Sequence, residues 1–165
     1  MMKYSIINLL ICIIFIFNNA ENSTANVAML MEWGQGLMAM TQKFTNAKNE
    51  CFNMGKIAPA ELQSIDFTQI FSRNQKCYLA CIYKLAGVMH LGRFNPDGFI
   101  QMIPEETLRL DKTGILQRFK SFSARCNAAI NQQFSAGNAS DECDIAGLIA
   151  KCFKQQGNSP LSQHG

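Results

Sequence analysis

The chain has 165 residues, enough for one domain of ordinary size, and carries 15 Lys and Arg against 12 Asp and Glu. The basic residues are scattered and form no run able to track phosphates, which excludes nucleic acid as the expected partner. Hydrophobic residues make up 48% of the sequence, with nine Met and twelve Phe, adaptable side chains that suit an irregular apolar interior.

Residues 1–20, MMKYSIINLLICIIFIFNNA, set Lys3 before an apolar run from Ile6 to Phe17 and a small residue at Ala20. The run is short for a bilayer span and has the order of a secretory signal peptide. The expected mature chain is a single domain over 21–165, with cleavage after Ala25 as the other candidate, and the expected location is the extracellular fluid. Removing the leader removes Cys12 and leaves six cysteines, Cys51, Cys77, Cys81, Cys126, Cys143 and Cys152. An even set in a secreted chain is most simply three disulfides.

From Val27, the residues Leu30, Trp33, Leu37, Met40 and Phe44 recur at threes and fours and predict a first helix, weakened by Gly34 and Gly36. IAPAEL gives a loop with Pro59 near the start of a short second helix. CYLACIYKLAGVM, from Cys77 to Met89, is the strongest helical stretch. LGRFNPDG is a turn by composition, and a brief helix follows through Phe99, Met102 and Ile103. DKTGILQRFKSFSARCNAAINQQF carries Leu116, Phe119, Phe122, Cys126, Ile130 and Phe134 on one helical stripe, which SAGNAS ends. Asp141 is a plausible cap for a last helix through Ile145, Leu148 and Ile149. No stretch sustains period-two alternation, so the expected fold is all-α, with about six helices.

Geometry limits how the cysteines pair. Cys77 and Cys81 stand four apart on one helix, which sets their Cβ atoms roughly 5–6 Å apart, beyond the 3.5–4.5 Å a disulfide prefers. Cys143 and Cys152 are separated by about 13 Å of helical rise. Excluding these two pairs leaves most of the 15 possible pairings open. The helix bearing Cys77 and Cys81 is then stapled to two different elements and acts as a central strut.

The cysteine spacing is Cys51-x25-Cys77-x3-Cys81-x44-Cys126-x16-Cys143-x8-Cys152. With the CYLACIYKLAGVM run, the Gly92, Phe94, Asn95 turn and the AKCF stretch from Ala150 to Phe153, it resembles the insect odorant-binding proteins of the pheromone-binding and general odorant-binding type. The resemblance covers nearly the whole mature chain. It implies the pairing Cys51 with Cys81, Cys77 with Cys143 and Cys126 with Cys152, and helices stapled around an internal apolar cavity. The implied function is transport of small hydrophobic molecules, odorants or pheromones in olfaction, by a non-catalytic carrier. The implied partners are a small apolar ligand and a membrane receptor, with monomer and homodimer both open. No cofactor or metal is expected. Candidate wall residues, taken from the inward helical stripes, are Trp33, Leu37, Tyr83, Val88, Met89, Phe99, Met102, Ile103, Phe119, Phe122, Phe134 and Leu148. Tyr83 is the candidate to offer a hydroxyl to a ligand oxygen.

Two other classes compete: a secreted enzyme, and a non-olfactory lipid carrier or protein-binding effector on the same scaffold. A helical phospholipase needs a His beside a carboxylate on a helix next to a calcium loop, and neither His90 nor His164 has that setting. No G-x-S-x-G or H-E-x-x-H occurs. GQGLMA, Gly34 to Ala39, matches a loose dinucleotide fingerprint but has no preceding strand and sits within a helical pattern. Asn22-Ser23-Thr24 and Asn138-Ala139-Ser140 are glycosylation sequons. After Cys152 comes FKQQGNSPLSQHG, in which Gly157 and Pro160 interrupt any helix; this tail is expected to cover an opening but not to fill a cavity.

Overall fold

A computed structural model of the chain describes residues 25–63, 71–109 and 114–157. The leader and its cleavage positions, the Asn22 sequon, the tail beyond Gly157 and the side chains of Trp33 and Leu37 lie outside what is described.

The described residues are mostly helical. Helix α1 (Ala25–Asn53) runs through both Gly34 and Gly36 without a break, and α2 (Pro59–Gln63) starts on Pro59, where a missing N–H costs nothing. Helix α3 (Arg73–Ala86) opens on a capping box: Ser72 Oγ accepts from the Gln75 N–H at 3.2 Å, and Gln75 Oε1 accepts from the Ser72 N–H at 2.9 Å. Its end falls earlier than the apolar pattern suggests. The helical reading through Met89 is corrected to Ala86, because Gly87 takes the left-handed conformation (φ 84°) and donates back to the Lys84 carbonyl at 3.1 Å.

Beyond Gly87 the chain forms a two-residue hairpin absent from the all-helical expectation. Strand β1 (Met89–His90) pairs antiparallel with β2 (Arg93–Phe94) in the register Met89 to Phe94 and His90 to Arg93. Asn95 ties this hairpin to the helix end, donating its N–H to the Val88 carbonyl at 2.8 Å and its Nδ2 to the Gly87 carbonyl at 2.9 Å. Gly98 lies directly against that corner, where a Cβ would collide with the Gly87 carbonyl. The brief helix expected around Phe99, Met102 and Ile103 is a 3-10 turn over Ile100–Met102, flanked by Phe99 and Ile103. Helix α4 (Glu105–Arg109) follows, then α5 (Ile115–Ser135) and α6 (Glu142–Gly157). Asp141 caps α6 as expected, its Oδ1 accepting from the Cys143 and Asp144 N–H groups at 2.9 and 3.1 Å.

Helix α3 is the hub. Three disulfides join Cys51 to Cys81, Cys77 to Cys143 and Cys126 to Cys152. The first fastens α3 to α1 and the second fastens it to α6, while the third links α5 to α6. The α3–α6 seam is also ionic: Arg73 pairs with Asp141 and Asp144, Lys76 with Asp144 at 3.1 Å, and Lys84 with Glu142 at 3.0 Å. The stem of Lys76 lies over Gly147, where the absence of a side chain lets the two helices approach.

Two hydrophobic clusters form around this hub. The smaller contains Ala47, Cys51, Ile57, Tyr78 and Ile82 between α1 and α3. The larger joins α3, the hairpin, the 3-10 turn, α5 and α6, and includes Leu79, Val88, Met89, Phe94, Phe99, Met102, Ile130, Ile145 and Ile149.

Candidate functional site

Within the larger cluster the aromatic rings form one connected network. Tyr83 meets Phe44 edge-on with centroids 6.5 Å apart, and Phe44 meets Phe99 at 5.8 Å. Phe99 contacts Phe119 at 5.7 Å and Phe153 at 4.8 Å. Phe153 also meets Phe122 at 4.7 Å, Phe94 at 6.1 Å and Phe119 at 6.4 Å. These spacings lie within the range of favourable aromatic pairs. The rings come from α1, α3, β2, the approach to the 3-10 turn, α5 and α6, so residues far apart in sequence converge on one apolar centre.

Tyr83, Phe99, Phe119 and Phe122 from the expected set are brought together in this network. Val88, Met89, Phe99 and Met102 are buried core residues. Val88 and Met89 reach the core from the chain after α3, and not from a helical stripe. Leu148 is half-buried against the same cluster. Ile103 is half-buried and belongs to neither cluster. Phe134 packs half-buried against the same cluster but joins none of these ring pairs, and the Arg93 guanidinium lies 3.8 Å above its ring centroid. It lines an open surface depression of about 640 Å³ with Lys84, Leu91, Gly92, Arg93, Asp141 and Glu142. That depression is open to solvent and four of its lining side chains are charged.

Phe44, Phe94 and Phe153 were not among the expected site residues. Phe153, with four ring partners, is the most consequential. A signal for it exists: Ile145, Ile149 and Phe153 stand at successive fours along α6, so the inward stripe extends one turn past Ile149.

The two tyrosines of α3 are treated differently. Tyr78 is 1% exposed, and its hydroxyl donates to the Lys48 carbonyl at 3.1 Å. Tyr83 is half-buried against Phe44, and desolvation pushes its phenol pKa upward, so it stays a neutral hydrogen-bonding group. Among the described residues no cluster of His, Cys, Asp and Glu is suited to hold a metal. Among them, too, no helix is long and apolar enough to cross a membrane.

The described residues form a small, mostly helical shell stapled by three disulfides around a shared aromatic centre. The sequence profile of the PBP/GOBP family matches residues 37–156, and the chain belongs to that insect odorant-binding family. Its members are carriers of small ligands and not enzymes. Neither the curated proteins nor the solved structures contain a match to the chain.

Proposed function

We propose that this chain is a secreted carrier that encloses a small hydrophobic molecule, an odorant, pheromone or similar lipophile, in an internal cavity beside the aromatic network and moves it through aqueous fluid toward a membrane receptor. The observation that supports it most is the convergence of Tyr83, Phe44, Phe99, Phe119, Phe122 and Phe153 from separate elements onto one centre, in a chain of a small-ligand carrier family. Mechanistically the carrier works by desolvation and shape. Burying about ten methylenes at roughly 0.8 kcal/mol each contributes about 8 kcal/mol before ordering losses, which sets micromolar or weaker dissociation constants. The disulfides keep the walls in place when cargo leaves.

The test is displacement of an environment-sensitive naphthylamine probe by medium-chain alcohols, aldehydes and esters. Phe119→Ala should alter the ligand ranking, whereas Lys120→Ala, on the exposed face of α5, should not. Absence of probe binding to the folded, fully oxidised protein would overturn the carrier reading.

A further inference from the structure

Besides Tyr78, whose hydroxyl is bonded to the Lys48 carbonyl, two polar side chains among the described residues are buried, Gln75 at 8% and Ser123 at 1% exposure. Gln75 is committed, since its side chain closes the α3 capping box and donates to the Glu61 carbonyl at 3.4 Å. Ser123 is not, because its hydroxyl has no hydrogen-bond partner. A buried hydroxyl without a partner is costly, and native interiors keep few of them.

Its position gives the hydroxyl a use. Ser123 lies on α5 one turn after Phe119, beside Phe122, and one turn before Cys126, whose bridge reaches Cys152 next to Phe153. Phe119, Phe122 and Phe153 contact one another pairwise with centroids 4.7 to 6.4 Å apart. Ser123 is therefore buried on the face of α5 that also carries Phe119 and Cys126. None of the described charged residues is buried, so nothing described in that interior would pair with an ionised head group. An unpaired charge placed there carries a far larger desolvation cost than a neutral polar group.

We infer that Ser123 is a ligand-binding residue: its hydroxyl makes the one polar contact to a neutral head group, an alcohol, aldehyde or ester, on an otherwise apolar cargo. The inference rests on the carrier reading and narrows its cargo to lipophiles with an uncharged hydrogen-bonding end, against both hydrocarbons and carboxylates.

The experiment measures competition against the naphthylamine probe by 1-decanol, decanoate and naphthalene, for the wild-type protein and Ser123→Ala. Wild type should prefer 1-decanol over decanoate by about tenfold or more at neutral pH. Ser123→Ala should weaken 1-decanol about three- to tenfold, the range expected for one hydrogen bond, and change naphthalene less than about twofold. Unchanged naphthalene binding also shows that the variant is folded. If Ser123 instead turns back to the carbonyl one turn earlier in its helix, 1-decanol affinity will be unaltered and the inference falls while the carrier reading stands. Equal weakening of 1-decanol and naphthalene overturns it as well. Failure of wild type to bind probe or competitors removes the carrier reading and this inference together.

Discussion

The two hydrophobic clusters use similar residues and treat their polar groups in opposite ways. Around Cys51 and Tyr78 the interior is closed: the bridge to Cys81 is made and the Tyr78 hydroxyl is spent on the Lys48 carbonyl. Around Phe153 the rings are connected but the Ser123 hydroxyl is unspent. The first region fastens α3 to α1, and the second is the one the carrier proposal assigns to cargo. A polar group bonded within the protein reports on stability, whereas one left unbonded in an apolar wall is available to a ligand.

The sharpest way to separate the two regions is to open their disulfides one at a time. Cys51→Ala with Cys81→Ala, and Cys126→Ala with Cys152→Ala, should each cost about 3–4 kcal/mol in urea unfolding, since the loops closed are of similar length, 30 and 26 residues. Probe binding should distinguish them. Loss of the Cys126–Cys152 bridge frees the turn of α6 that carries Phe153 and should weaken binding severalfold, while loss of Cys51–Cys81 should leave the affinity of the folded fraction nearly intact. The reverse pattern would place the binding centre in the smaller cluster.

A subtler comparison uses two tyrosines five residues apart. Tyr78→Phe removes the hydrogen bond from the buried phenol to the Lys48 carbonyl and should cost about 1 kcal/mol. Tyr83→Phe should change stability by less than about 0.5 kcal/mol, because its ring contact to Phe44 is retained. Equal stability losses would erase the distinction drawn between the clusters.

How much of this was legible in the sequence varies with the range of the interaction. Helix α5 and the Asp141 cap of α6 follow from local periodicity and cap chemistry, which act within a turn or two. The capping box at Ser72 and Gln75 is equally local, a Ser with Gln three residues on. The disulfide pairing was not legible from geometry alone, since excluding near neighbours left most arrangements open; it needed the family resemblance. The hairpin after Gly87 failed for a physical reason: Val88 and Met89 continue the apolar count of α3, and periodicity cannot see that a left-handed glycine has already turned the chain. Phe134 keeps helical step with Phe119, Phe122 and Ile130 and packs half-buried against the larger cluster, but the Arg93 guanidinium over its ring comes from a neighbouring strand and is a tertiary contact. The meeting of Phe44 with Phe99 and of Phe99 with Phe153 is tertiary, and no local pattern encodes it.

The ionic seam of α3 and α6 supplies a smaller effect. The Arg73 guanidinium hydrogen-bonded to Asp141 lowers that carboxyl's pKa, and hydrogen bonds from Ser140 and Lys76 lower that of Asp144. A depressed carboxylate pKa stabilises the folded state above the unfolded value, and this contribution is lost as pH falls through the folded value. The melting temperature should therefore decline as pH drops from about 5 toward 2. Asp144→Asn should flatten that decline. Both carboxylates are partly solvated and part of the attraction is screened, so the change should be a few degrees and should shrink in high salt. A decline unchanged in Asp144→Asn would assign acid sensitivity to other groups.

The smallest effect is expected at the tip of the hairpin, where the sequence acts against its own fold. Leu91 has φ 48° and Gly92 φ 71°, the two positive values that a two-residue hairpin loop of the I′ type requires. Glycine takes this conformation freely, but leucine does so at a cost of about 1 kcal/mol because its Cβ approaches the following carbonyl. Burial gives no compensation, since Leu91 is 87% exposed. Asn is the residue that such a turn favours at its first central position, so Leu91→Asn should raise stability by about 0.5–1 kcal/mol, read as a shifted urea midpoint with an unchanged slope. Probe affinity should stay within twofold of wild type, because the tip lies over the charged depression lined by Phe134 and away from the ring network. A loss of stability in Leu91→Asn would mean that the leucine side chain has a partner within the folded chain, and a loss of affinity would carry the binding centre from the rings around Phe153 to the hairpin.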